Sequence, residues 1–311
     1  MNFEQIPEEN LIDKKGEQAI PKEESTEKET IAKDDRYKKA REQSDFFLKS
    51  FDFVKEEEII EIKAEKPKDK TPVFFSPGWG VTETSKTIMK AMADEGRDVL
   101  STFYTRERQI KSEDIPGAEL QKAFAIIEII SKKEIDKIDA VGHSEGGLAL
   151  ALAASIRPDL FRNIVLIAPA GMMEKDSFFG LIGKFFIKES WEEKKGGKVN
   201  MKAFLAYLKD ASMHALKNPL LSIEEVLAMN KMDLFEMTKY VKSQGVGVGL
   251  VCGANDRVFP LEEVLKNVNE GNIDHFLSTK GDHGSIEVSN EQTEYVSLAT
   301  ELLADMAKEK K

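Results

Sequence analysis

The sequence predicts an α/β fold: a mostly parallel central sheet with helices on both faces. Three observations carry this. From residue 54 onward, short apolar runs of strand length alternate with amphipathic stretches of helix length, the spacing of βαβ units. At one junction a G-x-S-x-G pentapeptide, Gly142-His143-Ser144-Glu145-Gly146, separates the apolar run Ile138-Asp139-Ala140-Val141 from the small-residue run Leu148-Ala149-Leu150-Ala151-Leu152-Ala153-Ala154. Residues 172–245 break the alternation with helical patterns and no convincing strand, which reads as an all-helical insertion between two strands.

The elements follow in order. Residues 1–45 carry 9 Lys and Arg against 13 Asp and Glu, with few apolar residues and no sustained period. Such a segment cannot offset its ordering entropy by burial, so disorder or loose helix is expected. Val54 to Lys63 is a leading strand containing Ile59, Ile60 and Ile62. Pro72-Val73-Phe74-Phe75 is a short strand running into the turn Ser76-Pro77-Gly78-Trp79-Gly80. Glu83 to about Glu95 is a helix, with Ile88, Met89 and Met92 on one face and Gly96 as a stop. Val99 to Tyr104 is a strand, and Ala118 to Lys132 a helix with a wide apolar face through Leu120, Phe124, Ile127 and Ile130. After the pentapeptide and its helix comes the strand Asn163 to Ile167. The insertion holds helical patterns at Phe178 to Ile187, Met201 to Leu216 and Ile223 to Val241. Val246 to Cys252 and Phe276 to Thr279 are the last strands, and Glu291 to Lys308 the last helix. Residues 46–171 and 246–311 thus form the core, and 172–245 the insertion. Open sheets bind ligands at the carboxyl ends of their strands, so an insertion leaving from there is expected to cap the site.

Composition bounds the function. With 311 residues, 41% hydrophobic, the chain can bury a substantial core. A net charge of −11 argues against a nucleic-acid partner, whose phosphates demand a basic surface. The single cysteine, Cys252, rules out an internal disulfide and suits a reducing cytosol. The first residues lack a basic-then-apolar leader, and no apolar span reaches the ~20 residues of a membrane helix. A cytoplasmic location and no transmembrane segment are expected. No metal-ligand cluster or cofactor motif is visible, so no metal and no cofactor are expected.

The chemistry starts at Ser144. A serine at a sharp strand-to-helix turn is held in strained backbone with its oxygen exposed, and glycines on either side make room for the neighbouring elements. Its hydroxyl becomes a nucleophile only when a base takes the proton, and a carboxylate behind that base fixes its tautomer. Four histidines are available. His143 precedes the serine and is expected to point away. His214 reads as a face residue of the insertion, and His275 opens the last strand. His283 sits in Lys280-Gly281-Asp282-His283-Gly284, a loop between that strand and the final helix, and is the expected base. Asp256, just past the strand in Val251-Cys252-Gly253-Ala254-Asn255-Asp256, is the expected acid; the alternative is a turn aspartate capping the helix near Leu261. Asp282 adjoins His283 and is the poorer candidate. Two backbone amides are expected to hold an oxyanion, those of Glu145 and Trp79. The Glu145 side chain reads as a first-turn charge favoured by the helix dipole.

These motifs together resemble the α/β-hydrolase superfamily, of the capped serine esterase and lipase type, over roughly residues 54–311. Gly142 to Gly147 resembles its nucleophile elbow, Gly253 to Pro260 its acid loop, and Gly281 to Gly284 its histidine loop. The oxyanion loop departs from the usual His-Gly, reading Pro77-Gly78. The resemblance implies hydrolysis of a carboxylic ester or thioester through an acyl-enzyme. An acyltransferase on the same residues, or a binding protein that kept the fold, are the alternatives. The apolar stretch Phe178 to Ile187 reads either as helix packing or as an entrance for an apolar acyl or alkyl group, with Trp79, Phe178, Phe179 and Phe185 as pocket candidates. Lys184, Lys188, Lys194, Lys195 and Lys198 nearby suit an anionic carrier or lipid head group.

Overall fold

The computed structural model describes residues 23–80, 83–102, 110, 112, 115–172, 201–217, 219–256, 258–268, 273–283, 286 and 292–310. A helix α1 (Glu23–Ser50) leads into β1 (Ile59–Ile62), β2 (Val73–Ser76), α2 (Glu83–Asp94), β3 (Val99–Thr102), α3 (Gly117–Lys132), β4 (Ile138–His143), α4 (Glu145–Ile156) and β5 (Phe161–Ile167). Three helices follow, α5 (Met201–Lys217), α6 (Pro219–Lys231) and α7 (Leu234–Ser243). The chain then completes the sheet with β6 (Gly247–Gly253), α8 (Leu261–Val268), β7 (His275–Thr279) and α9 (Gln292–Glu309).

The seven strands lie in the order β1-β3-β2-β4-β5-β6-β7. β1 runs antiparallel to β3, and every other pair is parallel. The predicted α/β class therefore stands. Two apolar cores sandwich the sheet. One joins α1, α3, α4 and α7 around Phe124, Leu150 and Phe235; the other joins α2 and α9 around Met89, Tyr295 and Leu303. From β2 the chain winds outward to β3, whereas from β4 it winds the other way to β5. The crevice beyond the ends of β2 and β4 is therefore the switch point where open α/β sheets bind ligands.

Three elements refine the sequence expectation. The charged lead is helical from Glu23, with Tyr37 and Ala40 buried. Tyr37, Ala40, Ser44 and Phe47 recur at helical spacing, and the rings of Tyr37 and Phe47 meet Tyr240 and Phe124 at 5.0 and 5.5 Å. β1 begins only at Ile59, because the amides of Phe53 and Val54 donate to the Glu128 carboxylate on α3, at 2.6 and 3.2 Å, instead of to a neighbouring strand. The pattern from Ile223 to Val241 is two helices. Asp233 caps the second by accepting from the amides of Phe235 and Glu236, which ends the run. Among the described residues no helix is long and apolar enough to cross a membrane.

Candidate active site

Ser144 occupies the turn between β4 and α4 at φ 52°, ψ −123°, a conformation L-residues rarely adopt. Holding it there costs on the order of 1–3 kcal/mol, so the surroundings must over-determine it. They do: the Ser144 amide donates to the carbonyl of Ile167 at 3.0 Å, and its own carbonyl accepts from Gly147 at 3.0 Å and Ala170 at 3.1 Å. The glycines of the pentapeptide admit no side chain. A Cβ on Gly142 would lie 2.6 Å from the Cα of Gly147, and one on Gly146 would lie 2.2 Å from the carbonyl oxygen of Pro77. The turn after β2 is thus pressed directly against the first turn of α4.

The structure brings three of the predicted residues into one hydrogen-bonded chain. His283 Nε2 lies 3.0 Å from Ser144 Oγ, and His283 Nδ1 lies 3.0 Å from Asp256 Oδ2. A carboxylate only accepts, so Nδ1 carries the proton and Nε2 is left to accept from the serine hydroxyl. All three residues are buried. Both readings of Asp256 hold together: Oδ1 accepts from the amides of Val258 and Phe259, at 2.9 and 2.8 Å, while Oδ2 faces the histidine. The turn-capping bonds thereby aim the carboxylate.

The loops are fixed to one another as well. Ala254 and Asn255 donate their amides to the carbonyls of Thr279 and Gly281, at 2.7 and 3.1 Å. Tyr295, from α9, donates its hydroxyl to the carbonyl of Asp282 at 2.8 Å. Phe259 stands edge-on to the His283 ring at 4.9 Å. His143, expected to point away, sits beside His283: its ring lies 5.2 Å away, with Nε2 3.3 Å from the His283 carbonyl. A carbonyl only accepts, so His143 carries its proton on Nε2. His275 faces Glu309 at the far end of the sheet.

The residues expected to supply oxyanion amides belong to two turns in contact, the one after β2 and the first turn of α4. Glu145 is the first residue of α4, where an amide has no partner within the helix. Trp79 follows β2 in the turn that touches Gly146. Its indole donates to Glu225 on α6 at 3.0 Å, and its ring stands edge-on to His214 of α5 at 5.2 Å. Phe178, Phe179 and Phe185, and the five lysines named with them, lie outside the described residues.

Sequence reading missed one set of residues here. The Glu145 side chain is buried and bonded to Lys122 of α3, and Lys122 also meets Glu225 and Glu119. Burial holds the Glu119 carboxyl well above the usual range, reinforced by Glu145 and Glu225 and only partly offset by Lys122. Burial alone would lower the Lys122 ammonium, but the neighbouring glutamate side chains outweigh it and hold it above the usual lysine range. The available signal was a lysine at position i+3 from a glutamate inside an otherwise apolar helix face.

No protein-family model matches the chain, and no curated protein sequence matches it. Solved structures do. A bromoperoxidase from Bacillus anthracis is 17% identical with a TM-score of 0.57, the match covering 80% of this chain and 94% of the other. An enol-lactonase from Burkholderia xenovorans LB400 is 13% identical with a TM-score of 0.57, over 79% and 96%. An esterase from Exiguobacterium antarcticum is 14% identical with a TM-score of 0.55, over 78% and 94%. At such identities the likeness establishes a shared fold.

Proposed function

Because the chain has the α/β-hydrolase fold, we propose that it is a serine hydrolase cleaving a carboxylic ester or thioester through an acyl-enzyme. The observation that carries this is the chain Ser144–His283–Asp256, with both hydrogen bonds at 3.0 Å. Ser144 Oγ attacks the carbonyl carbon while His283 Nε2 takes its proton, and Asp256 stabilises the imidazolium through Nδ1–H. The oxyanion that forms accepts from the amides of Trp79 and Glu145. His283 then gives the proton to the leaving alcohol or thiol, which departs and leaves an acyl group on Ser144. Water, deprotonated by the same histidine, attacks the acyl carbon; the acid is released and Ser144 regains its proton. The esterase and lactonase among the similar structures support an ester-type substrate.

On this reading the helices between β5 and β6 serve as a cap over the site, and the substrate carries an apolar acyl or alkyl group. Ser144→Ala tests the reading. Turnover of a p-nitrophenyl ester is lost while the circular dichroism spectrum is kept. Retained turnover in a folded Ser144→Ala protein overturns it.

A further inference from the structure

A buried cluster of charges stands beside the elbow and is left unused by the reaction as written. Lys122 Nζ is bonded to Glu145, lies 3.1 Å from Glu225 Oε1 and 3.6 Å from Glu119 Oε1. The other oxygen of Glu225 accepts from the Trp79 indole at 3.0 Å and lies 3.0 Å from His214 Nε2. All four ionisable groups, Glu119, Lys122, Glu145 and Glu225, are buried. The residues at the two ends of this chain of contacts are Trp79 and Glu145, the two whose amides the proposed reaction assigns to the oxyanion.

We propose that Glu225, paired with Lys122, is a positioning residue that sets the two oxyanion amides relative to each other and ties both to the inserted helices. The proposal rests on the serine-hydrolase reading above. Charge buried on this scale is a poor source of stability, because well-packed apolar residues avoid its desolvation cost. What it supplies is direction. An indole N–H aimed at a carboxylate fixes the plane of the ring and, through it, the backbone of Trp79. The Lys122 ammonium draws the Glu145 side chain toward the same point from α3. The packing agrees with this. α6 rests on α3 and α5 rests on α2. Gly80, at φ +72°, lies so close to Ala211 of α5 that a Cβ there would come within 2.9 Å of its Cα. The turn after β2 is therefore held between the elbow on one side and the insertion on the other.

The test compares wild type with Glu225→Gln, which keeps the size and one acceptor for the indole but removes the charge opposite Lys122. A fluorophosphonate probe and a p-nitrophenyl ester are the reagents. Misplacing a preorganised donor by a fraction of an ångström lowers the rate by ~10- to 100-fold. In Glu225→Gln, kcat and the labelling rate constant both fall by that factor, KM is little changed, and prolonged labelling still reaches one probe per chain. A purely structural role would lower the fraction of chains that label, or the melting temperature, and leave kcat per labelled site at the wild-type value; that result overturns the proposal. Should Glu225→Gln fail to fold, Trp79→Phe removes the indole donor and keeps the backbone amide. It is expected to lose ~10-fold in kcat, and wild-type kcat in that variant overturns the proposal. A folded wild type that does not label at all overturns the serine-hydrolase reading beneath, an outcome distinct from a labelled wild type with an unaffected Glu225→Gln.

Discussion

Replacing Gly146 by alanine would put a methyl carbon 2.2 Å from the carbonyl oxygen of Pro77 and 2.3 Å from that of Ser76. Real Cβ atoms essentially never come within 3.0 Å of a heavy atom outside their own stretch of chain, so the turn after β2 and the first turn of α4 must part by nearly an ångström. Both clashing oxygens belong to backbone, and no side-chain rotation relieves them. The retreat carries the Trp79 amide away from Ser144 while leaving Ser144, His283 and Asp256 joined. A displacement of ~1 Å at a catalytic group costs ~10²-fold in rate, about 2.7 kcal/mol of transition-state stabilisation. Overpacking of this kind also costs about 1–3 kcal/mol of stability. Steady-state kinetics on a p-nitrophenyl ester, paired with a thermal melt, read both effects. The expected result is a folded protein with kcat reduced by ~10²-fold and KM little changed. A folded Gly146→Ala protein whose kcat/KM stays within about threefold of wild type would refute the argument that this contact sets the oxyanion site.

Two further variants probe the site. Asp256→Asn retains an oxygen for the amides of Val258 and Phe259 but offers an NH2 to His283 Nδ1–H. It should fold normally and lose about 10⁴-fold in kcat; near wild-type kcat would exclude Asp256 as the group that orients the histidine. Glu119 bears on stability. Its raised pKa means the folded chain keeps a proton that the unfolded chain releases above the ordinary value of 4.5. The associated stability is present below that value and is lost as pH rises toward the folded pKa, at up to about 1.4 kcal/mol per pH unit. Glu119→Gln is neutral throughout and can still donate a hydrogen bond. In denaturant melts it should match or exceed wild-type stability, with the advantage widening as pH rises above the ordinary carboxyl value of 4.5. A deficit of constant size across that range would show that the carboxyl is buried in its charged form.

The fold was legible because its signals are local. Each strand of the parallel sheet is a short apolar run, and each flanking helix shows its own period, so β2 to β5 and β6 to α9 could be placed from windows of a few residues. The turn at Ser144 and the loops that carry Asp256 and His283 were legible for the same reason, each being a compact motif at the end of a strand. What the sequence concealed is assembled across distance. Glu128 looks like a solvated helix charge and instead accepts from two amides 74 and 75 residues away. Lys122 and Glu119 have the spacing of an exposed helical pair, and their burial depends on α4 and α6 closing over them. No periodicity in one segment reports a partner contributed by another. The contact face of α1 was not legible for a subtler reason: its four residues are diluted among charges, and the apolar signal falls below what a composition window detects.

The most direct test of the account is to identify the atom that a fluorophosphonate probe modifies. Treatment of the native protein followed by peptide mass spectrometry should place a single adduct on Ser144, and heat-unfolded protein or the His283→Ala variant should label far more slowly. An adduct on another residue, or none on native protein under conditions that label a known serine esterase, would contradict it.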